Sequence, residues 1–364
     1  MKVLFDHQIF SSQISGGISR YFYELQKALP SQGVETELGF PWTISQYLLR
    51  DDQAAPHALW GDQVWKGKAH VVRILNQMQV CHRLRGSDFD LFHPTYYDPY
   101  FIKNLKRPFI LTVHDMIHEL FGRGLSDVRA VRRNKKTLCH KAAAIITVSE
   151  KTREDLISHL AIPEEKIHVV HHGNNLSPAR VSPHELKIPE RYILFVGQRH
   201  SYKNWEMFMR SFWQVSKNHP ELYVILVGAQ LNAHESEFVR NLGCADRVIV
   251  RSFVRDEELA YLYQKADFFV FPSLYEGFGF PLIEAMSWGC PVLAAQASCF
   301  PEIAKDAALY FDPMSLEDLV QKMERLLNEP GLLTSLRAAG FVQASCFTWE
   351  KCARETAEIY RSVS

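Results

Sequence analysis

The chain has 364 residues, 47% of them hydrophobic and 23% charged, and its 41 basic and 41 acidic side chains cancel to a formal net charge of zero. That length exceeds what a single hydrophobic core supports, so two domains are expected, and the composition is that of a folded globular chain. Zero net charge excludes bulk attraction to nucleic acid. The opening Met1–Asp6 reads as a first strand, with too few apolar residues for the core of a signal peptide. No window approaches the roughly 20 apolar residues that span a bilayer. The seven cysteines show no paired metal spacing and read as reduced, buried thiols, so a cytosolic protein is expected.

In chain order, the first half alternates short apolar runs with helical patterns, as a parallel sheet with crossover helices does. Strands are predicted at Val3 to Phe5, Phe89 to Phe92, Phe109 to Val113 and Ala144 to Val148. Between the first strand and the first helix lie Gly16 and Gly17, and Tyr21, Leu25 and Leu29 then recur at helical spacing. Ligands of open α/β sheets bind at the carboxyl ends of strands, so these glycines are candidates for letting a phosphate approach the backbone. Thr112-Val113-His114-Asp115 closes another strand and puts His114 at the same edge. His118 is the one nearby metal-ligand partner for His114, and it requires a helix there; no metal site is expected. The aromatic stretch His93 to Phe101 reads equally as loop packing or as a platform for a sugar. The basic run Arg129 to Lys136 reads as a solvated helix face, with contact to anionic lipid head groups as the alternative.

Residues 173–190 carry Asn174, Asn175, Pro178, Pro183 and Pro189, the composition of a linker. It separates a domain over 1–172 from a second over 191–346, whose strands are predicted at Arg191 to Gly197, Leu222 to Val227, Val248 to Val250, Phe268 to Phe271 and Pro291 to Ala294. A last helix is expected within 347–364, with Thr348 as its N-cap.

The sharpest signal follows the strand at Phe268. Glu276-Gly277-Phe278-Gly279-Phe280-Pro281 leads into a helix carrying Glu284, so two carboxylates stand with seven residues between them across a loop-to-helix junction. Gly277 and Gly279 allow a sharp turn and close approach of a ligand, and Pro281 suits a first helical turn. The free amides at such a junction favour phosphate. After the second domain's first strand come Gly197-Gln198-Arg199-His200-Ser201-Tyr202-Lys203, where Arg199 and Lys203 are placed to hold a diphosphate and to neutralise it as it leaves.

These segments resemble the glycosyltransferases of family 4, whose E-x7-E motif matches Glu276 to Glu284. Further matches at Thr147 to Glu150, Val169 to Gly173, Phe253 to Leu259 and Pro301 to Pro313 follow the family's order. The resemblance implies the GT-B fold: two doubly wound Rossmann-like domains facing a central cleft, with the C-terminal helix crossing back onto the first. It implies that His114 is the active-site histidine, that Glu276 holds sugar hydroxyls and Glu284 the ribose. It also implies that the base lies near the backbone of Val254 and that an Arg and a Lys five residues apart bind the diphosphate. Lys203 is in register for that Lys; Gln198 occupies the Arg position, with Arg199 one place on.

By the same resemblance, the reaction is transfer of a sugar from a nucleoside diphosphate sugar to a hydroxyl of a glycan or polyprenyl-linked glycan, with retention, without metal or other cofactor. Domain closure would limit hydrolysis. Gly16 to Tyr21 and Tyr202 to Asn204 resemble enzymes with mannose-type donors, and the family resemblance suggests bacterial O-antigen or capsule assembly. The rival readings are a glycoside hydrolase using paired carboxylates, a non-catalytic sugar-nucleotide sensor or scaffold, and a nucleotide-sugar epimerase.

Overall fold

A computed structural model describes residues 1–59, 67–86, 88–122, 127–174, 187–252 and 254–364. The expected linker lies largely outside the described residues, as does Phe253. The chain forms two compact units, Met1–Gly173 with Thr348–Ser364, and Asn174–Phe347.

The first unit contains β1 (Lys2–Phe5), β2 (Glu35–Leu38), a short parallel pair β3 (Trp42–Thr43) and β4 (His57–Ala58), then β5 (Leu91–His93), β6 (Ile110–Val113), β7 (Ala144–Thr147) and β8 (Ile167–Val169). Its parallel ladders run β2-β1-β5 and β6-β7-β8, and a bridge from Phe92 to Phe109 joins the two groups. Strands β5, β6 and β7 are buried along their whole length, as expected of a parallel sheet covered by helices on both faces. The helix Trp349–Val363 packs into this same unit, and the Thr348 side chain caps it by accepting from Lys351 N at 3.1 Å.

The second unit holds β9 (Tyr192–Val196), β10 (Tyr223–Val227), β11 (Val248–Arg251), β12 (Phe268–Phe271), β13 (Val292–Ala295) and β14 (Ala308–Phe311). All are parallel in the order β11-β10-β9-β12-β13-β14. Counted within the unit this is 3-2-1-4-5-6, the doubly wound order whose direction reverses between β9 and β12. Phe268 pairs with Ile193 and Phe269 with Leu194, so the carboxyl ends of these two strands emerge side by side.

Five strands lie outside the sequence expectation, the short pair β3 and β4 among them. Glu35–Leu38 carries two carboxylates and is an edge strand, so it lacks a buried strand's apolar run. Ile167–Val169 is only three residues long, too short a run to stand out as a strand. Ala308–Phe311 is an edge strand beside β13. The basic run is also corrected in part. Arg129, Arg132, Arg133 and Lys136 are exposed on the helix Val128–Lys141, but Lys135 is fully buried with Leu138 and Cys139, because positions three and four apart share the inward face. No described helix is long and apolar enough to cross a membrane.

Candidate active site

In the second unit the strand order itself selects the site. The segment after β9 carries Lys203 and the segment after β12 carries Glu276, and the Lys203 ammonium donates to the Glu276 carboxylate. Ligands of doubly wound sheets bind at this reversal point. Both side chains are largely shielded, at 15% and 13% exposure, which strengthens their attraction relative to a surface pair. Lys203 Nζ also lies 5.3 Å from the centre of the Tyr202 ring. Leu274 N donates to Tyr202 O at 2.7 Å, tying the two segments together through the backbone.

Glu276 is held from a third direction. Its N–H donates to Ser298 Oγ at 3.1 Å, while Ser298 Oγ donates to Glu276 O at 2.7 Å. The Cys299 thiol, raised in pKa by burial, reaches the same carbonyl at 3.4 Å. Ser298 adopts a left-handed backbone with φ of 53°. Sequence reasoning missed Ser298 and Cys299; the available signal was their place just past the carboxyl end of β13.

The glycine loop turns as its composition predicts. Gly279 has φ of 85° and precedes the helix Phe280–Ser287, with Pro281 in its first turn and Glu284 further along. A Cβ on Gly279 would stand 3.1 Å from the Phe271 ring. Phe278 is 3% exposed and packs edge-on to Phe280 and Phe347, so its side chain is core while Gly277 and Gly279 leave the backbone approachable. Val254 is half-buried just before the helix Asp256–Lys265.

Arg199 is drawn in a different direction. Its Nη2 donates to Ala229 O at 2.7 Å and Gln230 O at 2.9 Å and pairs with Glu235 at 3.0 Å. It thereby holds the loop after β10, and it lines a cavity of about 360 Å³ with Asn232, His234 and Glu235. Neither Lys203 nor Glu276 lines that cavity. The one-place shift from the register of Lys203 is the sequence counterpart of this.

The first unit brings together a second set. Gly16 precedes the helix Gly17–Ala28, and the Gln13 side chain occupies the place where a Cβ on Gly16 would stand. One turn into that helix, the Tyr21 ring packs edge-on to His114 at 5.1 Å, and His172 stacks over His114 at 5.8 Å. Burial lowers the His114 pKa to about 4, with Asp115 opposing and Lys135 assisting. The ring is therefore neutral near pH 7, with Nε2 unpaired among the described residues. The His114 N–H donates to Tyr97 Oη at 3.1 Å. Tyr97 and Phe101 are buried, so that part of the aromatic stretch is packing. His118 does lie on a helix, Ile117–Leu120, yet among the described residues no three His, Cys, Asp or Glu side chains are grouped to hold a metal ion.

Comparison with known proteins identifies the family and the fold. Residues 15–177 match the family model described as Glycosyltransferase Family 4, and residues 181–342 match the one described as Glycosyl transferases group 1. O-antigen chain mannosyltransferase B of Escherichia coli is 26% identical over 305 residues, covering 79% of this chain and 78% of that protein. Among solved structures, sucrose-phosphate synthase from Thermosynechococcus elongatus superposes with a TM-score of 0.79 at 19% identity, covering 99% of this chain and 98% of that one. Anabaena HepE in complex with UDP-glucose superposes with a TM-score of 0.77 at 18% identity over the full length of both chains.

Proposed function

The chain belongs to the family 4, group 1 glycosyltransferases, and from that premise we propose that it moves a sugar, with mannose from GDP-mannose favoured, onto a hydroxyl of a glycan or lipid-linked glycan. The observation that carries this reading is the Lys203–Glu276 pair at the β9/β12 reversal, beside a glycine loop that opens a helix. A cation with a row of backbone amides, and two separate carboxylates, answer the three parts of a nucleotide sugar. Lys203 and the amides of Gly277 to Phe280 take the diphosphate; Glu276 accepts hydrogen bonds from sugar hydroxyls; Glu284 accepts from the ribose.

In the step itself the bond from the anomeric carbon to the diphosphate oxygen breaks, with its electron pair leaving on the diphosphate. The acceptor oxygen bonds to the anomeric carbon on the same face, and its proton passes to the departing phosphate oxygen. Configuration is retained. Negative charge grows on the diphosphate as the bond breaks, and Lys203 stabilises it there without a metal ion. His114, neutral at pH 7, is assigned hydrogen bonding to the reacting sugar.

Mannose is favoured because the Escherichia coli relative is named for mannosyl transfer in O-antigen chains; HepE, with UDP-glucose bound, keeps a uridine donor as the second reading. A thermal-shift screen against GDP, UDP, dTDP and ADP, with and without EDTA, tests both. A shift with GDP that survives EDTA supports the proposal. A shift with UDP alone moves the donor to a uridine sugar, and no shift with any diphosphate counts against the transferase site.

A further inference from the structure

One lysine of the basic helix Val128–Lys141 is buried on its inward face. Lys135 is the inward member of the run Arg129 to Lys136, and its side chain is 0% exposed. A lone buried ammonium is costly unless it is paired and hydrogen-bonded, and Lys135 is both. Its Nζ donates to Glu119 Oε2 at 2.8 Å and to Asp115 O at 2.9 Å, and it lies 5.0 Å from the centre of the Tyr97 ring. Asp115 is the neighbour of His114, and Tyr97 is the residue whose hydroxyl accepts the His114 N–H.

The same helix adds a second clamp. Arg132 Nε donates to His118 O at 2.6 Å and its Nη2 to Glu119 O at 3.0 Å, fixing the carbonyls of the short helix Ile117–Leu120. Asp115 Oδ1 accepts from Ile117 N at 3.0 Å and closes the turn between them. The chain leaving β6 is thus held at residues 114, 115, 118 and 119, and three of those holds come from the helix Val128–Lys141. A leucine at position 135 would fill the space but could bond none of these groups.

We infer that Lys135 is a positioning residue for the reaction: its ammonium, shared between the Asp115 carbonyl and the Glu119 carboxylate and seated against Tyr97, fixes the backbone that aims His114 at the sugar. This rests on the role proposed for His114. A misplacement on the order of 1 Å lowers turnover by up to about a hundredfold, so the expected signature is a loss in kcat with donor binding left intact.

The test uses Lys135→Met together with Glu119→Gln, so that no charge is left buried alone, and Tyr97→Phe as a milder variant that removes only the acceptor for the His114 N–H. Two quantities are read: turnover of GDP-mannose with octyl α-mannoside as acceptor, and amide hydrogen exchange over residues 113–118. The expected result is a drop of about tenfold or more in kcat, an unchanged KM for GDP-mannose, and faster exchange over 113–118 but not elsewhere. Tyr97→Phe should move both in the same direction by less. Unchanged local exchange in both variants would overturn the tether itself. Faster exchange with unchanged kcat would overturn the inference through the role given to His114, leaving the tether standing.

Discussion

Lys203 and Glu276 neutralise one another across the strands β9 and β12, 73 positions apart in the chain. A donor diphosphate must therefore compete with Glu276 for the ammonium. Lys203→Ala should weaken GDP binding by about 1.5–3 kcal/mol, the range for hydrogen bonds to charged groups. Glu276→Gln, which frees the ammonium, should bind GDP at least as tightly as the native protein. Isothermal titration of the three proteins decides this, and an unchanged affinity in Lys203→Ala would remove Lys203 from the phosphate site.

Transfer depends on the carboxylate differently. Glu276→Ala should abolish sugar transfer while the protein keeps its fold, because Ser298 and Cys299 hold residue 276 through its backbone and not its side chain. Near-normal turnover in a folded variant would overturn the sugar-binding role.

Gly279→Ala is expected to cost about 1–2 kcal/mol for the left-handed backbone alone, because φ is 85° there. The new Cβ, 3.1 Å from the Phe271 ring, adds to that. Urea denaturation should show a lower midpoint, and GDP affinity should fall with it as the loop shifts.

Stability should fall on acidification through three buried histidines of the first unit. Burial lowers the His93 pKa to about 3 and that of His114 to about 4, and pushes His172 well below its ordinary 6.5. Above pH 6.5 these rings are neutral whether the chain is folded or not, so their environment carries no penalty. As pH falls below 6.5 the unfolded chain takes up protons that the folded one refuses, and stability drops until the folded values are reached. Melting temperatures between pH 7.5 and 5 should decline, and more shallowly in His172→Phe.

Tyr360→Phe removes a 2.6 Å hydrogen bond to His93 Nδ1 and leaves that nitrogen buried without its partner. A loss of about 1–3 kcal/mol is expected, read by calorimetry. Because His93 Nε2 is also bonded to Thr112 Oγ1 at 2.9 Å, the loss should reach the strand that precedes His114.

Much of this was legible in the sequence because the signals are local. A β-branched and aromatic run followed by glycines announces a strand, a turn and a helix start within some fifteen residues, which is why Phe268–Phe271 and the loop to Glu284 stand where they were expected. The place of Lys203, just past the second unit's first strand, was legible in the same local way. What lay hidden depends on partners far along the chain. The register shift at Arg199 does not say that its guanidinium pairs with Glu235, 36 positions on, and that Lys135 is the buried lysine of its run follows from its partner Glu119, on another helix. Ser298 was hidden for the same reason, since its hydrogen bonds to Glu276 reach across 22 positions of the chain.

The helix Trp349–Val363 belongs to the first unit although the whole of Asn174–Phe347 is translated before it. The second unit is continuous and has all its strands as soon as it leaves the ribosome. The first must wait: until Tyr360 arrives, His93 lacks its hydroxyl, and until Trp349 arrives, the ring at 6.3 Å beside Tyr21 is missing. The first unit therefore draws on both ends of the chain, and the packing around His93 and Tyr21 is complete only once the last segment has been made.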